Sequence, residues 1–232
     1  MATSHGGPLA VALHDLQHIF GERLHAMVAY GQQDAQPAPS LALVQSITGD
    51  DLDRCASHAS SWHRAGCATP LLLTKDEFAG SLDAFPIEYG EIIETHQVIY
   101  GVNPFTGLTI RPEDLRRACE IQVKSHLVHL RENLVESRGR QSEIRELVAA
   151  AAPGFAVILR RLAHLDGFPA STDADLNAYA VKRPGLDPRV VGDVLAVARQ
   201  QNAAGVDAMR LYPAYVAAVE QLWRFIDRWK AE

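Results

Sequence analysis

Periodicity changes near the middle of this chain, and that change limits what it can fold into. Before residue 101, short apolar runs alternate with segments of helical spacing; past Pro112 the strand signals stop. Leu115, Val123, Leu127, Leu130 and Leu134 mark a long amphipathic helix. A second starts near Gln141, ends near Gly167, and has a kink expected at Pro153. Ser171-Thr172-Asp173 caps a third, which stops at Lys182-Arg183-Pro184-Gly185, and Asp187-Pro188 begins the next. Tyr215, Val219, Leu222, Ile226 and Trp229 fall on one stripe of a last helix. The C-terminal half therefore reads as a helical bundle.

The first half reads differently. Leu9, Leu13, Leu16 and Phe20 recur at helical spacing, with Pro8 suited to the first turn of a helix running to about Leu24. Ala26 to Tyr30 is a short apolar run that reads as a buried strand, Gln32 to Pro39 is a polar loop with two prolines, and Leu41 to Val44 is a second run. Asp50 or Asp51 is expected to cap a helix reaching about Arg64 and ended by Gly66. Pro70 to Thr74 is a third strand, and Thr74-Lys75-Asp76-Glu77 has the pattern of a capping box for a short helix through Leu82. Phe85 to Tyr89 is expected as a fourth strand and Gln97 to Gly101 as a fifth. The expected fold class is α+β: a mixed sheet with helices, then a helical bundle. The expected divisions are a disordered tail over 1–8, a first domain over 9–108 and a helical domain over 109–232.

Composition bears on partners. Hydrophobic residues make up 47% of 232, so a packed core is expected. A formal net charge of -6 argues against a mainly electrostatic nucleic-acid binder. Uninterrupted apolar runs are too short to span a bilayer, and residues 1–8 lack the pattern of a signal peptide. Three cysteines do not make a disulfide framework, which points to a reducing, cytoplasmic location.

An N-terminal helix ending in Phe20-Gly21-Glu22-Arg23-Leu24, an apolar strand ending in Tyr30-Gly31, a loop and a second strand resemble the DNA polymerase β-like nucleotidyltransferase superfamily. The likeness is to its bacterial two-domain proteins, in which a C-terminal helical domain follows the transferase domain. Ser81 to Tyr89 and Val98 to Phe105 support that smaller group. The resemblance covers about residues 9 to 165. It implies a Gly-Ser turn after the first strand, an Asp-x-Asp pair on the second, and a third acid on a later strand. Those carboxylates hold the two metal ions that neutralise charge on the attacking and leaving oxygens. Two acids one residue apart on a strand share a face, and a glycine turn lets backbone N–H groups approach phosphate.

Mapped onto this chain, Gly31 takes the glycine position and Gln32 replaces the serine. Ser40 and Ala42 stand where the paired acids belong, and neither ligates magnesium as a carboxylate does. Glu88 is the one candidate remnant, for the third acid; Asp34 lies on the loop at the wrong spacing. No catalytic residue is therefore expected. Gly31 and Gln32 form a candidate nucleotide-binding turn. The resemblance then implies a catalytically inactive protein that acts by binding, in a regulatory or assembly role, with an unknown protein or a nucleotide as partner. It needs no cofactor, with magnesium only if the chain is active. The alternative is an active magnesium-dependent transferase acting on a small molecule or protein.

Four further groups have simpler explanations beside functional ones. Cys55, His58, His63 and Cys67 carry zinc-binding residue types, which would make a zinc-binding interaction module, but their spacing fits a buried cysteine and solvent-facing histidines better. Arg116, Arg117, Lys124, His126, His129 and Arg131 interleave with acids and read as a mutually paired helix surface. Arg160, Arg161 and His164 match a ribonuclease spacing only loosely. Trp223 and Trp229, with Phe225 and Ile226, read as core, with a homo-oligomer interface as the alternative.

Overall fold

The computed structural model describes residues 7–31, 36–200 and 204–229. Most of the expected tail, and the loop positions Gln32 and Asp34, lie outside the described residues. The chain divides into two compact units, Met1–Ile110 and Arg111–Glu232.

In the first unit, α1 (Leu9–Phe20) buries Leu9, Leu13, Leu16 and Phe20, the stripe its spacing implies. A single 3-10 turn over Gly21–Arg23 leads into β1 (Leu24–Ala29), followed by β2 (Ser40–Val44). The next helix, α2 (Gly49–Arg64), is capped by Thr48 and not by Asp50 or Asp51. Thr48 Oγ1 accepts from the Asp51 N–H, and the Asp51 carboxylate accepts from the Thr48 N–H. Asp51 is thus the return partner of the box. Arg23 also donates to both Asp51 oxygens, at 2.7 and 2.8 Å. That pairing holds the Asp51 carboxyl well below the usual carboxylate range.

β3 (Leu71–Thr74) leads directly into α3 (Lys75–Gly80), where Thr74 and Glu77 form the expected box. The segment expected as a fourth strand is instead the start of a helix, α4 (Pro86–Thr95). Over Phe85 to Tyr89 the apolar and polar residues alternate, which imitates a strand. The longer window decides otherwise: Tyr89, Ile92 and Ile93 share one helical face and pack on the sheet, and Pro86 occupies the first turn. β4 (Gln97–Gly101) matches the remaining expectation.

The sheet is mixed, with strand order β3-β2-β1-β4. β1 runs antiparallel to β2 and β4, and β2 runs parallel to β3. Strand alternation sends Met27, Ala42 and Val44 to one face, against Leu13, Leu16, Phe20 and Trp62. Val28, Leu41 and Leu43 go to the other face, against Phe78, Ile92 and Phe105. Both faces of β1 and β2 are therefore covered within this unit. Gly101 has φ +80, and a Cβ there would stand 2.2 Å from His25 O, so only glycine fits where β4 crosses β1.

The second unit is helical: α5 (Pro112–Glu136), α6 (Gln141–Leu165), α7 (Asp173–Lys182), α8 (Pro188–Gln200) and α9 (Ala208–Asp227). Leu115, Val123, Leu127 and Leu130 are buried along α5, whereas Leu134 is exposed. Pro153 lies inside a single helix, and Thr172 caps α7 through a box with Asp175. By length and composition α6 could cross a membrane, contrary to the expectation from uninterrupted runs. However, 56% of its apolar window is buried inside the structure, as in a core helix. Asp166, just past α6, accepts from Tyr179 Oη at 2.9 Å, Arg183 Nε at 3.1 Å and Trp229 Nε1 at 2.6 Å. One carboxylate thereby ties α6 to α7 and to the segment after α9.

Candidate functional site

The residues around the β1–β2 connection are where a nucleotidyltransferase would place its chemistry, and their geometry can be built up strand by strand. β1 and β2 pair with Ala29 opposite Ser40 and Met27 opposite Ala42. This register brings Ser40 close to the end of β1, just before Gly31, which has φ +78. Ser40 and Ala42 share a face of β2, as two positions one residue apart must. That face is closed. Ser40 is 1% exposed and Ala42 0%, and Ala42 belongs to the apolar cluster under α1 and α2.

Ser40 Oγ has no nitrogen or oxygen partner within hydrogen-bond distance. It faces the Cys67 thiol. Burial pushes that thiol's pKa up, and the Ser40 hydroxyl offsets part of the rise. The thiol in turn donates to Ala68 O at 3.0 Å. The pair is a small, buried, neutral contact with no group that can carry a proton away at neutral pH.

The Gly31 N–H, the group a phosphate would need, donates to Thr95 Oγ1 at 2.8 Å. Thr95 passes its own hydrogen to Glu91 O at 2.7 Å. The glycine turn is thus fastened to the end of α4. Tyr30 beside it is half-buried; burial first, and Glu91 second, raise its phenol pKa. Gln32, the other half of the candidate turn, lies outside the described residues. Glu88 is exposed on α4, so the strand expected to carry it is absent; it sits on a helix.

The remaining groups separate. Cys55 and Cys67 are buried. His58 Nδ1 stands 3.1 Å from Asp15, which also accepts from Trp62 Nε1 at 2.9 Å. His63 Nε2 meets Thr69 Oγ1 at 3.0 Å. Among the described residues no three His, Cys, Asp or Glu side chains are grouped to hold a metal ion. The interleaved charges of α5 pair much as the sequence implies: Arg116 and Lys124 with Glu120, Lys124 also with Asp227, and His129 with Glu132. Ile226 is buried, and the Trp229 indole is taken by Asp166.

The fold can now be compared with known structures. It matches a crystal structure of the spectinomycin adenyltransferase AAD(9) from Enterococcus faecialis with ATP and spectinomycin, at TM-score 0.55 and 12% identity, covering 93% of this chain and 98% of that one. The fold is nucleotidyltransferase-like. At this identity the likeness concerns the fold alone. No protein-family model and no curated protein matches the chain.

The metals this fold implies can be tested against the residues present. A carboxylate pair is needed on β2, and Ser40 and Ala42 supply none. Their side chains also point into packed apolar surroundings, where an ion would lose its hydration without charged ligands in return. Ser40 and Ala42 thus offer no ligand pair for two metal ions. The sequence missed two things here. One is the helix α4 packed on the second face of the sheet, because its start reads locally as a strand. The other is the Gly31–Thr95 bond, a contact 64 residues apart that local pattern cannot reveal.

Proposed function

We propose that this protein uses a nucleotidyltransferase-like fold for binding and not for nucleotidyl transfer. The carrying observation is the burial of Ser40 and Ala42, 1% and 0% exposed, at the positions where paired carboxylates belong. Transfer needs charge neutralisation at two oxygens, and removing that electrostatic stabilisation costs several orders of magnitude in rate. The occupied Gly31 amide supports the same reading, because a phosphate would have to displace Thr95. Its role is regulatory or in assembly, with a protein or an intact nucleotide as the bound partner.

Thermal unfolding with ATP, GTP, CTP and UTP, each with and without magnesium, tests this. A ligand bound to the folded state raises the midpoint by mass action. A metal-independent rise identifies a nucleotide-holding protein, and no rise removes these nucleotides as the partner. A magnesium-dependent rise accompanied by release of pyrophosphate from the triphosphate overturns the proposal and supports an active transferase.

A further inference from the structure

The second unit carries a groove of its own. A pocket of about 290 Å³ opens between α5 and α6. One wall is a polar stripe on α5: Gln122, Ser125, His126, His129 and Asn133, recurring at close to i, i+4, i+7 and i+11. Val123, Leu127 and Leu130 form the buried face of α5, and the stripe runs along the exposed side of it. Here α6 offers Ala150 and Ala151 opposite the stripe, and these are too short to fill the space. Leu130 and Leu147 form an apolar floor. His126 Nε2 lies 2.6 Å from Tyr215 Oη on α9, which fixes the imidazole against the bundle.

Charge defines the class of ligand. No Asp, Glu, Lys or Arg lines the pocket, so nothing there selects a phosphate, an ammonium or a carboxylate. The lining offers two carboxamides, a hydroxyl and imidazoles, groups that each donate or accept. Carboxamides pair side by side with the donor–acceptor edges of nucleobases. The apolar floor suits the face of a planar ring. Eleven residues of helix span roughly 16 Å, longer than one base and suited to a base with its sugar attached. The geometry points to a site for an uncharged nucleoside between α5 and α6, separate from any nucleotide site at Gly31.

The test uses the full chain, with adenosine, guanosine, cytidine and uridine as probes. Binding is followed by calorimetry and by the ring resonances of the histidines, with that of His126 assigned by its loss in His126→Gln. At least one nucleoside is expected to bind and to shift the His126 ring signal. Gln122→Ala and Asn133→Ala, both at exposed positions, are each expected to weaken it about tenfold, the value of a lost hydrogen bond of roughly 1.4 kcal/mol. The matching monophosphate should bind no tighter than the nucleoside. Failure of all four nucleosides to bind overturns the inference, as does binding that neither variant weakens. Tighter binding of the monophosphate overturns it too. A nucleoside response unchanged in Thr95→Ala, which frees the Gly31 amide, separates this site from one at the glycine turn; tighter binding there assigns the ligand to that turn and also overturns the inference.

Discussion

Single positions decide whether the first unit tolerates a catalytic centre. Replacing Ala42 by Asp puts a carboxylate into the cluster of Leu13, Leu16, Met27 and Trp62. An unpaired buried charge either neutralises or unfolds its surroundings. Ala42→Asp should lower the unfolding free energy in urea by roughly 3 kcal/mol or more. An unchanged midpoint would mean that this position opens to solvent. Gly101→Ala combines a positive φ with a Cβ 2.2 Å from His25 O. Its expected cost in the same measurement is about 3 kcal/mol or more, the range for strain plus overpacking. His126 gives a pH signature. Burial, with a smaller contribution from His129, pulls its pKa down to about 4 from 6.5. The folded state therefore binds this proton less readily than the unfolded one. Stability is full above pH 6.5 and is lost as pH falls toward 4, by at most about 1.4 kcal/mol per unit. The acid slope in His126→Gln should be shallower over that window, and an identical slope would remove the assignment.

At the level of elements, the sequence was most readable where a local rule acts alone. The α1 stripe, the Thr74 box and the span of β4 follow from periodicity and capping. Two errors have physical causes. Thr48 wins the α2 cap because its hydroxyl and the Asp51 carboxylate satisfy each other, leaving Asp51 inside the helix for Arg23. Phe85 to Tyr89 alternates over too few residues to separate a strand from the first turn of a helix, and the tertiary contacts of Tyr89, Ile92 and Ile93 decide it. The Asp166 junction was invisible, since its partners are 13, 17 and 63 residues away. Burial acts to raise the Asp166 pKa, but the bonds from Arg183, Trp229 and Tyr179 outweigh it and keep the carboxylate ionised. Asp166→Ala leaves a buried phenol and an indole without their acceptor. It should cost about 3 kcal/mol, read as a lower melting temperature of the helical unit. Asp166→Asn, which retains an acceptor, should cost less; equal losses would assign the effect to charge alone.

Across the whole molecule, the division into a sheet-containing unit and a helical unit is legible in the sequence, because strand and helix periodicities differ over many residues. The candidate site was legible only as a set of missing residues. Ser40 and Ala42 could be read as non-acids, but their burial comes from α1 and α2 packing over that face of β2. The α5–α6 groove had a visible cue, polar residues at helical spacing facing a run of alanines, but that cue also describes an ordinary solvated face. We propose that this chain carries out no nucleotidyl transfer. Label transfer tests it directly: the four nucleoside triphosphates, labelled at the α-phosphorus, are incubated with the protein, magnesium and a cell extract as the source of acceptors. No labelled product and no pyrophosphate above that of heat-inactivated protein is expected. Magnesium-dependent labelling that requires the folded chain would contradict it.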